Sequence, residues 1–593
     1  MAAADAAARS YEVGVIQRTP VPDLSSDQET QLADLARCAW SLKRTLDTRV
    51  ETSHAFSLPA LLQVEGADLQ QCAEAWSDLA GSSQQVLDSL QAEIDALCFD
   101  LYGIGPEDRQ RIESDGISAE DGQDDAVDED ADDDEAMDVD AAPMVAALLA
   151  WCLGVAFGRF DLRLATGERP MPAEPEPFDP LPVCSPGMLT GDDGLPLDVP
   201  PVGYPIAFSA DGILVDDPGH PSDLVQSVRG AFETLFDEPD ARWHEAAELL
   251  GVDDPRDWFA QSFFEQHIKR YSKSRRKAPI YWQLAIPSGR YSVWLYAHRA
   301  TSDTLFRVLN DYLGPKLDHE QNKLTRLVQG AGVTPTAAQR REIEPQESLV
   351  EELKALKSEV ARVAPLWRPS LDDGVLINFA PLWRLTPQSR SWQTECRKTW
   401  DKLQAGDYDW SQLAMHLWPE RVVPKCAEDR SLAIAHSLET ALWTEDEDGA
   451  WQPKPAMDAR IGELASARVS TTVKAALKDL LTAPAPIVAR AARRATSASG
   501  VRRRLTGQRS GTVSQMETTT NRAPRLPDAE LLEAVRGSIV QQGGEVSKSD
   551  VLAATGLSDA QWNGAIAALL AEGSVTKSGA GRGTRYHLPK PES

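Results

Sequence analysis

The residues best suited to chemistry in this 593-residue chain lie in one stretch, His267 to Arg299, "HIKRYSKSRRKAPIYWQLAIPSGRYSVWLYAHR". It holds eight Lys or Arg and six Tyr or Trp residues, on a chain of formal net charge −31. Lys269, Arg270, Lys273, Arg275, Arg276 and Lys277 form a dense cationic run. Such a run neutralises phosphates, the main source of nucleic-acid affinity, while side chains at base edges supply specificity. Tyr271, Tyr281 and Trp282 add flat faces that could stack or wedge, and Arg290 and Arg299 carry the charge onward. An acidic remainder would orient the approach, since only the basic face attracts DNA. The competing reading is a hairpin whose Lys and Arg stems lie over aromatic core residues. For Trp294 and Tyr296 that core reading is the expectation.

Catalytic signatures are missing. There is no Gly-Lys dipeptide and hence no Walker A loop, no GxSxG and no HExxH. "HEAAE", His244 to Glu248, offers one His and two carboxylates, and without a second His it reads as a solvated helix face. "PKLDHEQNKL", Pro315 to Leu324, brings Asp318, His319, Glu320 and Lys323 together in the manner of a nuclease. A metal nuclease needs further ligands at defined spacing, and none stand out, so a helix surface is expected. No Gly-rich strand-to-helix loop for S-adenosylmethionine and no Asn/Asp-Pro-Pro-aromatic motif occurs. No catalytic, cofactor or metal residue is therefore assigned to this chain.

The elements that must position the basic stretch can be read from periodicity. The apolar positions Val86, Leu87, Leu90, Ile94, Leu97 and Leu101 recur every three or four residues, predicting a helix that Gly103, Gly105 and Pro106 stop. Asp115 to Asp140 then holds 14 Asp and Glu and no Lys or Arg. Such a block self-repels and reads as a disordered linker, with a nucleic-acid mimic or autoinhibitory tail as the alternative. "MVAALLAWCLGVAFG", Met144 to Gly158, is the most apolar run, too short to span a bilayer and expected as a buried helix. "IYWQLAI" and "RYSVWLYAHR" around "PSG" predict a β-hairpin. Leu349, Leu353, Leu356, Val360 and Val363 give about two heptads, a helical arm. The Trp-dense region after it, from Trp367 to Trp418, reads mostly as core.

The expected fold class is α+β, mainly helical and multidomain. Its parts are a helical spacer (1–105), an acidic linker (106–143), a mixed α/β target-recognition region (144–335) and a helical arm with a Trp-rich region (336–486). An Arg/Ser-rich linker (487–527) with Arg502, Arg503 and Arg504 leads to a C-terminal winged helix-turn-helix (528–590). In that last part three short helical patterns precede "SVTKSGAGRGTRYHL", two strands around a Gly-rich tip with Lys577, Arg582 and Arg585. Lys548 and Gln561 join them as candidate DNA contacts, and a protein-docking winged helix is the alternative. The seven cysteines are scattered without a CxxC pair, as in reduced cytosolic proteins. The N-terminus lacks the pattern of a secretory signal.

Several phrases resemble one family: "YEVGVIQRTPVPDL", "AWSLKRTLDTRVETSHAFSLPALL", "EIDALCFDLYGIGPEDRQRIE", "YWQLAIPSGRYSVWLYAHRATSDTLFRVLNDYLGPKLDHEQNKL", "DDGVLINFAPLWRL" and "DYDWSQLAMHLWPERVVPKCAEDRSLAIAH". In this order they are similar to the C-terminal half of the large adenine-specific DNA methyltransferases of Pgl/BREX-type phage defence. The resemblance spans most of residues 11 to 440. It implies a helical spacer and target-recognition domains, while the methyltransferase half with its S-adenosylmethionine site would lie on a partner chain. The expected partners are duplex DNA, a catalytic methyltransferase and other defence proteins, in the cytoplasm and without a membrane. A protein-interaction scaffold and a metal-dependent nuclease are the alternatives.

Overall fold

Short polar side chains start most of the helices, because their oxygens accept from first-turn N–H groups that have no partner inside the helix. The computed structural model describes residues 20–118, 140–273, 276–447, 449–484, 535–539, 545–546, 551, 554–555, 562, 566, 569, 574–578 and 585–587. In it Ser25 and Gln28 cap α1 (Ser26–Asp47) reciprocally. Asp68 accepts from the Gln71 N–H at the start of α2 (Leu69–Leu101). That helix stops where Gly103 takes a φ of 64°, open to glycine at no steric cost. A new helix, α3 (Pro106–Ser118), follows, so helix extends into the segment read as linker. Proline suits its first position, where the missing N–H would be unpaired anyway. Residues 119–139, most of the acidic block, lie outside the described residues.

Asp140 caps α4 (Ala141–Ala156), which is buried nearly all round, from Met144 to Ala156. A helix apolar on every side belongs inside a core. Among the described residues no helix is long and apolar enough to cross a membrane. Beside α4 stands an antiparallel sheet of order β1-β5-β4, with β1 at Ile213–Val215, β4 at Tyr281–Ala285 and β5 at Ser292–Tyr296. The hairpin turns at Gly289, φ 73°, and pairs Trp282 with Leu295 and Gln283 with Trp294.

Every residue of these three strands is buried. Neighbouring side chains on a strand point to opposite faces, which explains how. Tyr281 stacks on Phe157 at 5.2 Å just after α4, while Trp282 meets Phe379 edge-on at 5.1 Å and Trp367 at 6.1 Å. The sheet is thus covered on one side by α4 and on the other by the Trp-dense region. Trp294 and Tyr296 are buried with it, as are Trp367, Trp392 and Trp400. Trp410 is the exception to the core reading, 42% exposed.

Two long helices, α5 (Gly314–Ala331) and α6 (Ala337–Val363), pack together next to the sheet. On α6 Leu353, Leu356, Val360 and Val363 are buried and Leu349 is half-buried, so the predicted heptad face is spent on this core and not left for a partner. One continuous core runs from Phe56 through α2, α4, the sheet and α6 to Leu480. The spacer, the mixed region and the Trp-rich region all contribute to it.

The chain divides into two compact units, Met1–Ala498 and Ser499–Ser593. The first unit also holds a short antiparallel pair, β6 (Trp443–Glu445) and β7 (Trp451–Pro453), and in the second unit β8 (Glu545–Val546), β9 (Thr576–Ser578) and β10 (Arg585–His587) form an antiparallel sheet of order β8-β10-β9. Val535, Ile539, Val551, Trp562, Ile566 and Leu569 make a small core there, with Trp562 edge-on to Tyr586 at 5.2 Å. The protein is therefore mainly helical with small antiparallel sheets, an α+β composition.

Candidate nucleic-acid interface

The basic stretch begins on α7 (Phe264–Arg270), whose last turn carries His267, Lys269 and Arg270. Cations there complement the partial negative charge of a helix C-terminus. The chain then forms a two-stranded ribbon, β2 (Ser272–Lys273) and β3 (Arg276–Lys277), pairing Ser272 with Lys277 and Lys273 with Arg276. An Ala278 N–H to Tyr271 carbonyl bond of 2.8 Å closes its base. From that base the chain enters β4. The ribbon is thus fixed at both ends to core elements, the end of α7 and the first residue of the buried hairpin.

His267 makes that connection. Its Nε2 accepts from the N–H groups of Ile280 and Tyr281, each at 3.0 Å. Accepting two bonds requires the neutral ring with its proton on Nδ1. That Nδ1 is buried and has no hydrogen-bond partner among the described residues. Burial drives the imidazole pKa down to about 3, against the opposing pull of Glu51.

Beneath the ribbon lies a buried ionic clamp. Arg159 Nη1 donates to Glu51 Oε1 at 2.6 Å and to the Tyr271 hydroxyl at 2.6 Å. The Tyr271 hydroxyl donates to Glu51 Oε1 at 2.7 Å, and Arg270 Nη1 to Glu51 Oε2 at 2.9 Å. Burial by itself would raise the Glu51 carboxyl, but the guanidiniums of Arg159 and Arg270 outweigh it and hold the pKa at about 2. Arg159 also lies 4.5 Å over the Phe160 ring. A cavity of about 100 Å³ opens beside the clamp, lined by Arg49, Thr52, Arg270, Phe56, Met144 and Ala147 among others.

These contacts divide the residues that the sequence nominated. Lys269 is exposed at the end of α7, and Lys273 is exposed on the ribbon with Arg276 opposite it. Arg270 belongs to the clamp, and Lys277 pairs with Glu395. Tyr281 is 0% exposed, so it offers no face to a base; burial on both sides of β4 overrides that expectation and also pushes its phenol pKa up. Tyr271 is held in the clamp and Trp282 lies in the core. Arg290 donates to the Pro345 carbonyl at 2.7 Å. Arg299 donates to the carbonyls of Ser209 and Leu197, both at 2.9 Å, and lies 5.0 Å over Phe208, so it serves a loop and not a ligand.

In the second unit Arg585 is exposed on β10, and Lys577 lies on β9, in backbone register with Tyr586. Arg275, Arg502, Arg503, Arg504, Lys548, Gln561 and Arg582 lie outside the described residues. The nuclease candidates do not assemble. Glu320 is buried against Lys316 at 2.7 Å and Gln346 at 2.6 Å, and the described residues contain no group of three possible metal ligands. His244 and Glu248 form an exposed pair at 3.4 Å.

Glu51, Arg159 and Arg49 were missed in the sequence. Glu51 and Arg270 stand 219 residues apart, and no local pattern links a lone Glu to an arginine at that distance. No protein-family model matches this chain, and no curated protein matches it either.

Proposed function

We propose that this chain is the DNA-binding, target-recognition component of an adenine N6 DNA methyltransferase-based phage-defence or restriction-modification system. The observation that carries the DNA part is the basic ribbon, with Lys269 and Lys273 exposed on a base anchored in the core. A two-stranded β-ribbon fits the major groove of duplex DNA, and cations on it neutralise phosphates at its walls. A rigid base supports this role, because ordering a floppy basic loop on binding would cost conformational entropy. In this reading methyl transfer, with S-adenosylmethionine, takes place on a separate chain, and that element rests on the sequence resemblance alone.

The second unit is read as a winged helix that makes a further DNA contact. Its support is the strand order β8-β10-β9 with a small core around Trp562, and the exposure of Arg585 at the start of β10.

The test is fluorescence anisotropy of the full chain on random duplex of about three helical turns across a salt series. A variant with Lys269, Lys273, Arg275 and Arg276 changed to Ala spares the clamp and the Lys277–Glu395 pair. It is expected to lose affinity, and its log–log salt slope to fall by about 0.9 for each phosphate contact removed. Absence of duplex binding by the native chain at low salt, or an unchanged slope in the variant, overturns the reading.

A further inference from the structure

We infer that the cavity at the foot of the ribbon is a binding pocket for a phosphate group, an inference that rests on the DNA-binding reading for the source of that phosphate. The cavity measures about 100 Å³. A single water needs roughly 10–15 Å³ on that measure, so a group of several heavy atoms fits. Arg49, Arg270 and Thr52 are among its polar lining residues, and Phe56, Met144 and Ala147 among its apolar ones.

Guanidinium forks match the paired oxygens of a phosphate better than ammonium groups do. Among the described residues the acceptor of Arg270 is Glu51, reached through Nη1, and an arginine has five N–H donors in all. The clamp therefore fixes the orientation of Arg270 while leaving donors over. Glu51 also borders the cavity, yet both its oxygens are engaged, and it faces two guanidiniums with a single charge. The low pKa of its carboxyl reports the same positive field. Asp47, which does not line the cavity, lies within the field of Arg49 as well and partly offsets it.

The apolar part of the lining narrows the chemistry. A fully hydrated inorganic anion gains nothing from Phe56, Met144 and Ala147, whereas the sugar carbons flanking a phosphate ester do. The ligand class is thus a phosphate ester, from the backbone of a bound duplex or from a free mononucleotide. The position beside the ribbon favours the backbone: one phosphate seated here would set the register of the ribbon on the DNA.

Two readouts on the full chain test this. The first is thermal unfolding in sodium phosphate, in a deoxynucleoside monophosphate and in chloride at matched ionic strength. The second is duplex binding across a salt series. Both use native protein, Arg49→Gln and Arg270→Lys; the latter keeps a charge against Glu51 but loses the fork, and serves if the former fails to fold. Phosphate and the nucleotide are expected to raise the native Tm with concentration, as a ligand that binds only the folded state must. Either variant should lose that rise and bind duplex roughly tenfold more weakly, and Arg49→Gln, which removes a charge, should also show a salt slope smaller by about 1.

The inference is overturned if phosphate and nucleotide act on the native chain no differently from chloride while both variants keep native duplex affinity and slope. Duplex binding would then leave the DNA reading standing without the pocket. A native Tm rise that depends on Arg49, in a chain that binds no duplex, assigns the pocket to a free phosphate ester and removes the DNA reading instead.

Discussion

Replacing His267 by Gln should flatten the pH dependence of stability between pH 7 and 5. In the folded chain the imidazole is neutral down to about pH 3, because burial disfavours its charged form and Nε2 already accepts two backbone N–H bonds. In the unfolded chain the same ring takes up a proton near pH 6.5. The folded pKa is thus the lower one, so the stability this group contributes is complete above about pH 6.5 and is lost as pH falls toward 3. Between pH 7 and 5 the unfolded state gains the proton and the folded state does not, which amounts to about 2 kcal/mol.

Glutamine places an oxygen near the position of Nε2 and does not titrate, so it can accept the Ile280 and Tyr281 N–H groups without the pH term. Urea unfolding followed by circular dichroism at half-unit pH steps gives the comparison. Native protein should lose about 2 kcal/mol more than the variant over that interval. Equal slopes would refute the argument, as would a histidine resonance titrating near 6 that disappears in the variant. Either result would mean that His267 is reached by water and does not hold the ribbon base in its neutral form.

Glu51→Gln leaves the partly buried Arg159 and Arg270 without their carboxylate and should cost about 3–5 kcal/mol by urea unfolding at neutral pH. The same variant should lose an acid limb. The stabilisation from this carboxylate is complete above the usual glutamate range and disappears as pH falls toward about 2, so native protein alone should weaken on that account below about pH 4.3. Gly154→Ala would set a Cβ 2.3 Å from the Phe160 ring and 2.9 Å from the Tyr281 hydroxyl. That overpacking should lower stability by about 1–3 kcal/mol in the same assay, and a neutral result would mean α4 can shift away from the ring.

The elements with strong periodicity were legible in the sequence. α2, the buried α4, the β4–β5 hairpin and the apolar face of α6 all follow from spacing that physics ties to one geometry. What periodicity does not carry is the partner of each face. The heptad of α6 reads as an arm, and only the fold shows that Leu353 and Val360 lie in the same core as Trp282. Tyr281 reads as a recognition aromatic by its neighbours in the chain, yet pleating turns it toward Phe157. The basic run was legible as charge but not as a set of roles. Ion pairs such as Arg270 with Glu51 and Lys277 with Glu395 join residues far apart in sequence, and nothing local distinguishes a paired arginine from one that faces solvent.

An acidic chain that keeps a basic stretch needs a reason for each cation, and the structure separates two. Arg270 and Lys277, where the ribbon joins the fold, meet Glu51 and Glu395 and hold it in place. Lys269 and Lys273 are exposed on the end of α7 and on the ribbon itself. The two sets should fail in different ways. Loss of Arg270 strands Glu51 beside one guanidinium instead of two, so it should appear first as lost stability. Loss of Lys269 removes charge from solvent, where surface substitutions change stability by little, so it should appear only in binding. A stretch that served packing alone would show the first kind of loss at Arg270 and Lys277 and nothing at Lys269. Because the ribbon stands on a desolvated clamp, the exposed charges are held at a fixed place on the surface, and under the proposed function that fixed placement would turn attraction to phosphates into a defined register on DNA.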